Sequence, residues 1–258
     1  MLKAGYLLLA CLMLLVLTVT QSWSKGPANV SNTVHNLSVT APNIMGFQIY
    51  GSNETQICVF CHTPHGGSLD GPLWNRSNPD PGSFTHYNSI TLSTAIQGLG
   101  ANRQINNESL LCMACHDGSI SVMHLINPSN DLGENPTSVF TSDSEVFIVE
   151  TFGSAKIGGS STDPSAYGDL SDDHPISFSY SSVLGSNEYT TGAKVGRLHT
   201  TELAQGKGVR FFGAENRMEC SSCHDPHVDY TSTGNTAYDP FLITPNSGSA
   251  LCLACHNK

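Results

Sequence analysis

Cys-x-x-Cys-His is written four times in this chain: Cys58-Val59-Phe60-Cys61-His62, Cys112-Met113-Ala114-Cys115-His116, Cys220-Ser221-Ser222-Cys223-His224 and Cys252-Leu253-Ala254-Cys255-His256. No other feature restricts the fold as much. On one helical turn, positions i, i+3 and i+4 share a face. Both sulfurs then reach the two vinyl groups of one porphyrin, and the histidine lies under the iron. The expectation is four haem c groups, held covalently by Cys58, Cys61, Cys112, Cys115, Cys220, Cys223, Cys252 and Cys255. His62, His116, His224 and His256 are the proximal iron ligands. Zinc sites pair CxxC knuckles and give no reason for a histidine after every one. A thioredoxin-like site needs one CxxC inside a βαβ pattern, which is not visible here. Asn107 and Ser249, just before Leu110-Leu111 and Ala250-Leu251, predict short helices at two of the motifs.

Compartment and charge follow from the ends of the argument. Met1-Leu2-Lys3, an apolar run from Tyr6 to Val19, and Ser22-Trp23-Ser24 predict a secretory signal peptide over 1–24. The product is then secreted, at the cell surface or outside it, with the periplasm as the alternative. The apolar run is shorter than the roughly 20 residues of a membrane helix, so no transmembrane segment is expected after cleavage. Of nine cysteines, Cys11 leaves with the leader and the other eight lie in the motifs, leaving none for a disulfide. Losing Lys3 leaves 10 Lys and Arg against 21 Asp and Glu, a formal charge of −11 against −10 for the full chain. That excludes nucleic acid and anionic membrane as partners and suits cationic or metallic acceptors.

Residues 25–258 read as one domain. Only 12% of the chain is charged, glycine and proline number 24 and 13, and periodicity is weak. The expected fold class is a loop-rich multihaem cytochrome c, with short helices at the CxxCH motifs, a few short β-strands and a core organised by haems. Thr91–Gly98 predicts a short helix, and Ser119–Leu125 a helical continuation of the second motif. Val146–Val149 and Ile176–Tyr180 predict strands. The stretch 127–218 lacks cysteine and reads as a loop and β excursion over the haem row, or as a separate haem-free domain.

Eleven histidines are present; seven remain after the proximal four. His65 and His227 follow a proximal histidine by three, with Pro64 or Pro226 between. Proline stops the helical turn, which throws the second ring off its own haem. His174, in Asp172-Asp173-His174-Pro175, has carboxylates at hand to orient it. His35 stands in an arm without other chemistry. These four are the expected distal ligands, while His86, His124 and His199 read as core or surface residues. Methionines are poorly placed, so ligation is bis-His with low potentials.

The block Cys58–Gly66, Asp173-His174-Pro175-Ile176-Ser177-Phe178 and the doubled ending from Cys220 to His256 resemble multihaem cytochromes with paired CxxCH motifs. With four motifs, a leader and this length, the chain is most similar to the tetrahaem extracellular cytochrome nanowires of the OmcE-like type. The resemblance implies extracellular electron transfer without enzymatic catalysis. Its partners would be other copies of the chain in a head-to-tail homopolymer, redox proteins, and extracellular metal or mineral or cellular electron acceptors. The ligand count points the same way. His35 serves the first haem, His174 the second and His227 the fourth; the third is left to His65 of a neighbouring copy. A periplasmic shuttle or a subunit of an outer-membrane complex would use the same haems with internal ligands. A reductase needs an open iron beside acid–base groups, and no CxxCK variant marks one.

Overall fold

Proline placement decides which CxxCH motif becomes an α-helix. The computed structural model describes residues 26–42, 54–120, 122, 124–127, 157 and 168–257; the leader 1–24 and the predicted strand Val146–Val149 lie outside the described residues. The described α-helices are α1 (Thr94–Gln97), α2 (Asn107–His116), α3 (Tyr180–Gly185), α4 (Asn187–Thr190), α5 (Thr201–Gly206) and α6 (Cys252–Cys255). The second and fourth motifs therefore lie on α2 and α6. The first and third form 3-10 turns, Ile57–Phe60 and Cys220–Ser222. These two are the motifs followed by Thr63-Pro64 and Asp225-Pro226. A residue before proline is pushed out of the helical region, so Thr63 and Asp225 bar any helical continuation; His62 and His224 form extended bridges with Trp74 and Leu242, as His256 does with Leu198.

The helix Thr94–Gln97 forms within the predicted span, capped by Ser93, whose hydroxyl accepts from the Ile96 N–H. The predicted continuation of α2 into 119–125 is absent among the described residues, the helix ending at His116. Gly118 takes a left-handed φ of +76°, the usual helix stop, and the Asp117 carboxylate accepts from the Ser119 N–H and hydroxyl to turn the chain. The predicted strand at 176–180 shrinks to two residues. Strand β1 (Thr85–His86) pairs parallel with β2 (Asp169–Leu170), and β3 (Phe178–Ser179) pairs antiparallel with β4 (Arg217–Met218), Phe178 opposite Met218. Ser177 has φ +56° and Tyr180 already belongs to α3, so β3 is confined from both sides.

Among the described residues, two apolar clusters pack against the motifs. The larger joins Phe178, Tyr180, Val183, Phe211 and Met218 to Leu251, Ala254 and Cys255 of the fourth motif. The 178–218 stretch thus shares its core with the fourth CxxCH motif. The smaller joins Phe84, Ile105 and Leu170 to Leu110 and Met113 of α2, with Cys220 against it. The N-terminal arm pairs with the chain after the third motif: Asn29 N–H donates to the His227 carbonyl at 3.0 Å, and Asp229 N–H to Pro27 at 2.6 Å. Among the described residues no helix is long and apolar enough to cross a membrane.

Phe211 stacks on Tyr180 with centroids 4.8 Å apart in the cluster that seats α6. Phe211→Ala should cost about 3–5 kcal/mol by the usual cost of emptying a core aromatic site. Urea denaturation followed by circular dichroism measures it.

Candidate functional site

Cysteine neighbours give the order of the motifs in space. Burial pushes the Cys61 thiol up to about 12, and Cys115 adds to the effect, so the first motif lies within electrostatic reach of the second. Cys112 and Cys220 share a hydrogen bond that raises Cys112 well above an ordinary thiol and lowers Cys220, joining second to third. Burial also takes Cys223 to about 12, with Cys255 and Cys252 contributing, joining third to fourth. Consecutive motifs are thus spatial neighbours, and the four form a series in sequence order. All eight described cysteines are free of disulfides.

Two pairs of histidine rings face each other across this row. His62 and His227 have ring centroids 6.3 Å apart and planes 15° from parallel. His35 and His116 have centroids 6.0 Å apart and planes at 88°. An imidazole nitrogen binds a transition metal at about 2 Å with its ring centre about 1 Å behind, so two rings on one metal stand about 6 Å apart. Both pairs meet that spacing, and each contains one CxxCH histidine. By its spacing each pair could hold one iron. Among the described residues, no three His, Cys, Asp or Glu side chains converge as a zinc centre requires; an iron in a porphyrin takes only two donors from the protein.

The pairing differs from the sequence expectation. His227 faces His62, not His256, and His35 faces His116, not His62. The reason is the pairing of the arm with the 225–232 segment, sealed by the Ala28–Val228 bridge. It carries the third motif's loop back over the first two motifs. Proline does turn His227 away from its own motif, but the ring lands on a site far off in sequence.

Each of five rings commits its Nδ1 to an oxygen. His62 donates to Pro72 O at 2.9 Å, His224 to Pro240 O at 2.9 Å, His174 to Pro175 O at 2.9 Å, and His35 to Pro226 O at 3.3 Å. His227 donates to the Asp225 carboxylate at 2.9 Å. A ring that donates from Nδ1 carries its lone pair on Nε2, the tautomer a metal needs. Thus His174 is oriented by the carbonyl of its own neighbour and not by Asp172 or Asp173. Burial pushes the Asp225 carboxyl up, but hydrogen bonds from His227 and Arg210 outweigh it and hold the group well below the carboxylate range. Arg210 binds Asp225 at 3.0 Å.

The remaining histidines separate by environment. His65 and His124 are exposed. His86 is 1% exposed and closed in by protein, and burial with nearby Arg103 lowers its pKa to about 4. His199 lies beside the fourth motif, its N–H on Cys255 O at 2.8 Å, but its Nε2 accepts from Lys207 at 3.1 Å. Sequence reasoning missed Phe241, which stacks on His35 at 4.2 Å from a backbone at φ +56°. It also missed two ions at the joints of the row. Arg76 is buried between the first and second motifs, Glu219 between the second and third. Arg76 left a trace, being the sole Lys or Arg between Lys25 and Arg103. No protein-family model and no curated protein sequence matches the chain.

Ring geometry makes His227 testable. Near-parallel and perpendicular ring pairs on low-spin iron have different electron paramagnetic resonance (EPR) spectra. If each pair holds a haem iron, His227→Ala should turn one haem high-spin and remove the parallel-ring signal, while the perpendicular-ring signal of His35 and His116 persists.

Proposed function

We propose that the chain is an electron conduit that carries four haem c groups in a row and joins its copies head to tail, acting without bond-making catalysis. The observation that supports it most is the 6.0 and 6.3 Å spacing of two histidine pairs, each with one CxxCH member. Haem c supplies a one-electron iron couple. The chain's own residues bind and orient: paired cysteines fix each ring covalently, and His62 with His227 and His116 with His35 hold two irons. His174 is proposed for the third, opposite His224. Its Nε2 is available, and the adjacent Asp173 lies within electrostatic reach of Cys220.

His256 is the proximal histidine of the fourth motif, bridged to Leu198. Its motif ends the row, and His65 stands beside the motif at the other end, with both rings exposed. His65 of one copy is therefore proposed to serve the fourth haem of the next. The expectation of the third gives way because an end contact reaches the terminal motif. Such a heterologous contact propagates as an open filament when its rotation does not close. Exposed apolar residues accompany both ends: Leu69 and Leu73 near His65, and Val195, Leu203 and Leu253 near the fourth motif. Export by the leader 1–24 and the charge of −11 suit an extracellular or cell-surface site and redox proteins, metal or mineral as electron acceptors.

Intact mass should give a chain beginning near Lys25 plus four haem groups; fewer haems, or zinc, overturns the reading. Electron microscopy of the secreted wild type should show filaments. His65→Ala should abolish them and leave one high-spin haem per released protomer. A wild-type monomer with every haem already low-spin overturns the polymer and leaves a periplasmic or membrane-complex shuttle.

A further inference from the structure

Of the five histidine rings oriented through Nδ1, four donate to main-chain carbonyls and one to a charged group. The exception is His227. A single oxygen of Asp225, Oδ1, accepts both the His227 N–H and its Nδ1–H, each at 2.9 Å. Ring and main chain are tied to one point, which stops the ring turning about its side-chain bonds. The other oxygen, Oδ2, accepts from the Arg210 guanidinium at 3.0 Å. Asp225 is 7% exposed. Its own N–H donates to Phe241 O at 2.8 Å, and the Arg210 N–H donates to Ser222 O at 3.2 Å in the third motif. The clamp on His227 is therefore anchored in two other segments.

Burying an ion pair seldom stabilises a fold on balance, because desolvation offsets the attraction. What this pair holds gives it a reason. His227 faces His62 with planes 15° apart. His62 is fixed from its own side, by Pro72 O at 2.9 Å and by the Trp74 ring at 6.0 Å and 78°. Each ring of the near-parallel pair is thus set by its own neighbours. A carboxylate on Nδ1 also makes Nε2 a stronger donor to a metal, and a cation on that carboxylate draws part of the charge back. Among the described residues, the charged side chains that act on the His227 ring are Asp225 and Arg210.

We infer, on the four-haem reading, that Asp225 is a positioning residue for the first haem. It holds the His227 ring near-parallel to His62 and strengthens it as an iron ligand, with Arg210 limiting how far. Stronger donation favours ferric iron, so the pair tunes the first haem through hydrogen bonding to its distal ligand.

The test is a redox titration of the intact, haem-loaded protein followed by EPR. The first haem is recognised by the parallel-ring signal that His227→Ala removes. Asp225→Asn offers an amide oxygen to the same two N–H groups. That signal should persist, and the first haem should shift to higher potential. Arg210→Gln leaves the carboxylate without its cation and should shift the same haem to lower potential. Asp225→Ala removes the acceptor, and the parallel-ring signal should move while the haem stays low-spin. Arg76 and Glu54, buried near the first motif, are the same in every variant, so the differences report Asp225 and Arg210 alone. An unchanged potential in Asp225→Asn, shifts of one sign in Asp225→Asn and Arg210→Gln, or an unmoved signal in Asp225→Ala overturns the inference. Should the Asp225 variants not fold, Arg210→Gln decides alone, and an unchanged or higher potential overturns it. Failure of the underlying reading is distinct: intact mass then shows fewer than four haems, or His227→Ala leaves every haem low-spin.

Discussion

A histidine ring has two nitrogens, and committing one to an acceptor decides what the other can do. In this protein the acceptor is usually a proline carbonyl: Pro72 for His62, Pro175 for His174, Pro240 for His224 and Pro226 for His35. Proline has no N–H and sits outside helix interiors and sheet ladders, so its carbonyl remains available in extended or turning chain. The same residues that keep the elements short therefore orient the rings. Loss of regular structure and gain of ligand geometry are one property of the sequence.

The far sides of the first two sites depend on a single peptide. Pro226 orients His35 through its carbonyl, and His227, the next residue, faces His62. The two ring pairs are mechanically linked through that peptide, yet their planes differ by 15° in one pair and 88° in the other. The orienting groups explain the contrast. His227 follows a carboxylate two residues back in its own loop. His35 is fixed by a carbonyl from another segment and by the face of Phe241 at 4.2 Å. Neighbouring ring pairs built from one loop thus meet at different angles.

What the sequence disclosed was local. The expected helices at the second and fourth motifs are formed as α2 and α6, and Pro226 does turn its histidine away. Where the ring then goes depends on the pairing of Ala28 with Val228, a contact across 200 residues that no local pattern announces. The motif nearest in sequence was therefore a poor guide. Helix against 3-10 turn at the four motifs was legible in principle, since Thr63-Pro64 and Asp225-Pro226 stand in the chain. The strand at Ile176–Tyr180 was overestimated because Ser177 spends its conformation on reaching Glu219 with its hydroxyl, a tertiary demand that overrides propensity.

The three joints of the row are made from different chemistry. The first is a guanidinium on carbonyls. The second is a carboxylate among hydroxyl and amide donors, with Cys220 N–H on Ser109 Oγ at 3.0 Å. The third is apolar, Cys223 packed against the cluster of Leu251, Ala254 and Cys255. Hydrogen bonds are directional and satisfied networks define one arrangement, whereas apolar burial is non-directional and nearly proportional to area. The first two joints hold motif spacing through bonds that run from motif to motif. At the third the motifs pack together, and α6 takes its directional bonds from another segment, the Cys255 carbonyl accepting from His199 N–H at 2.8 Å and the Leu253 carbonyl from Lys207 Nζ at 2.9 Å. The 199–207 segment therefore does for the fourth motif what Arg76 and Glu219 do for the others.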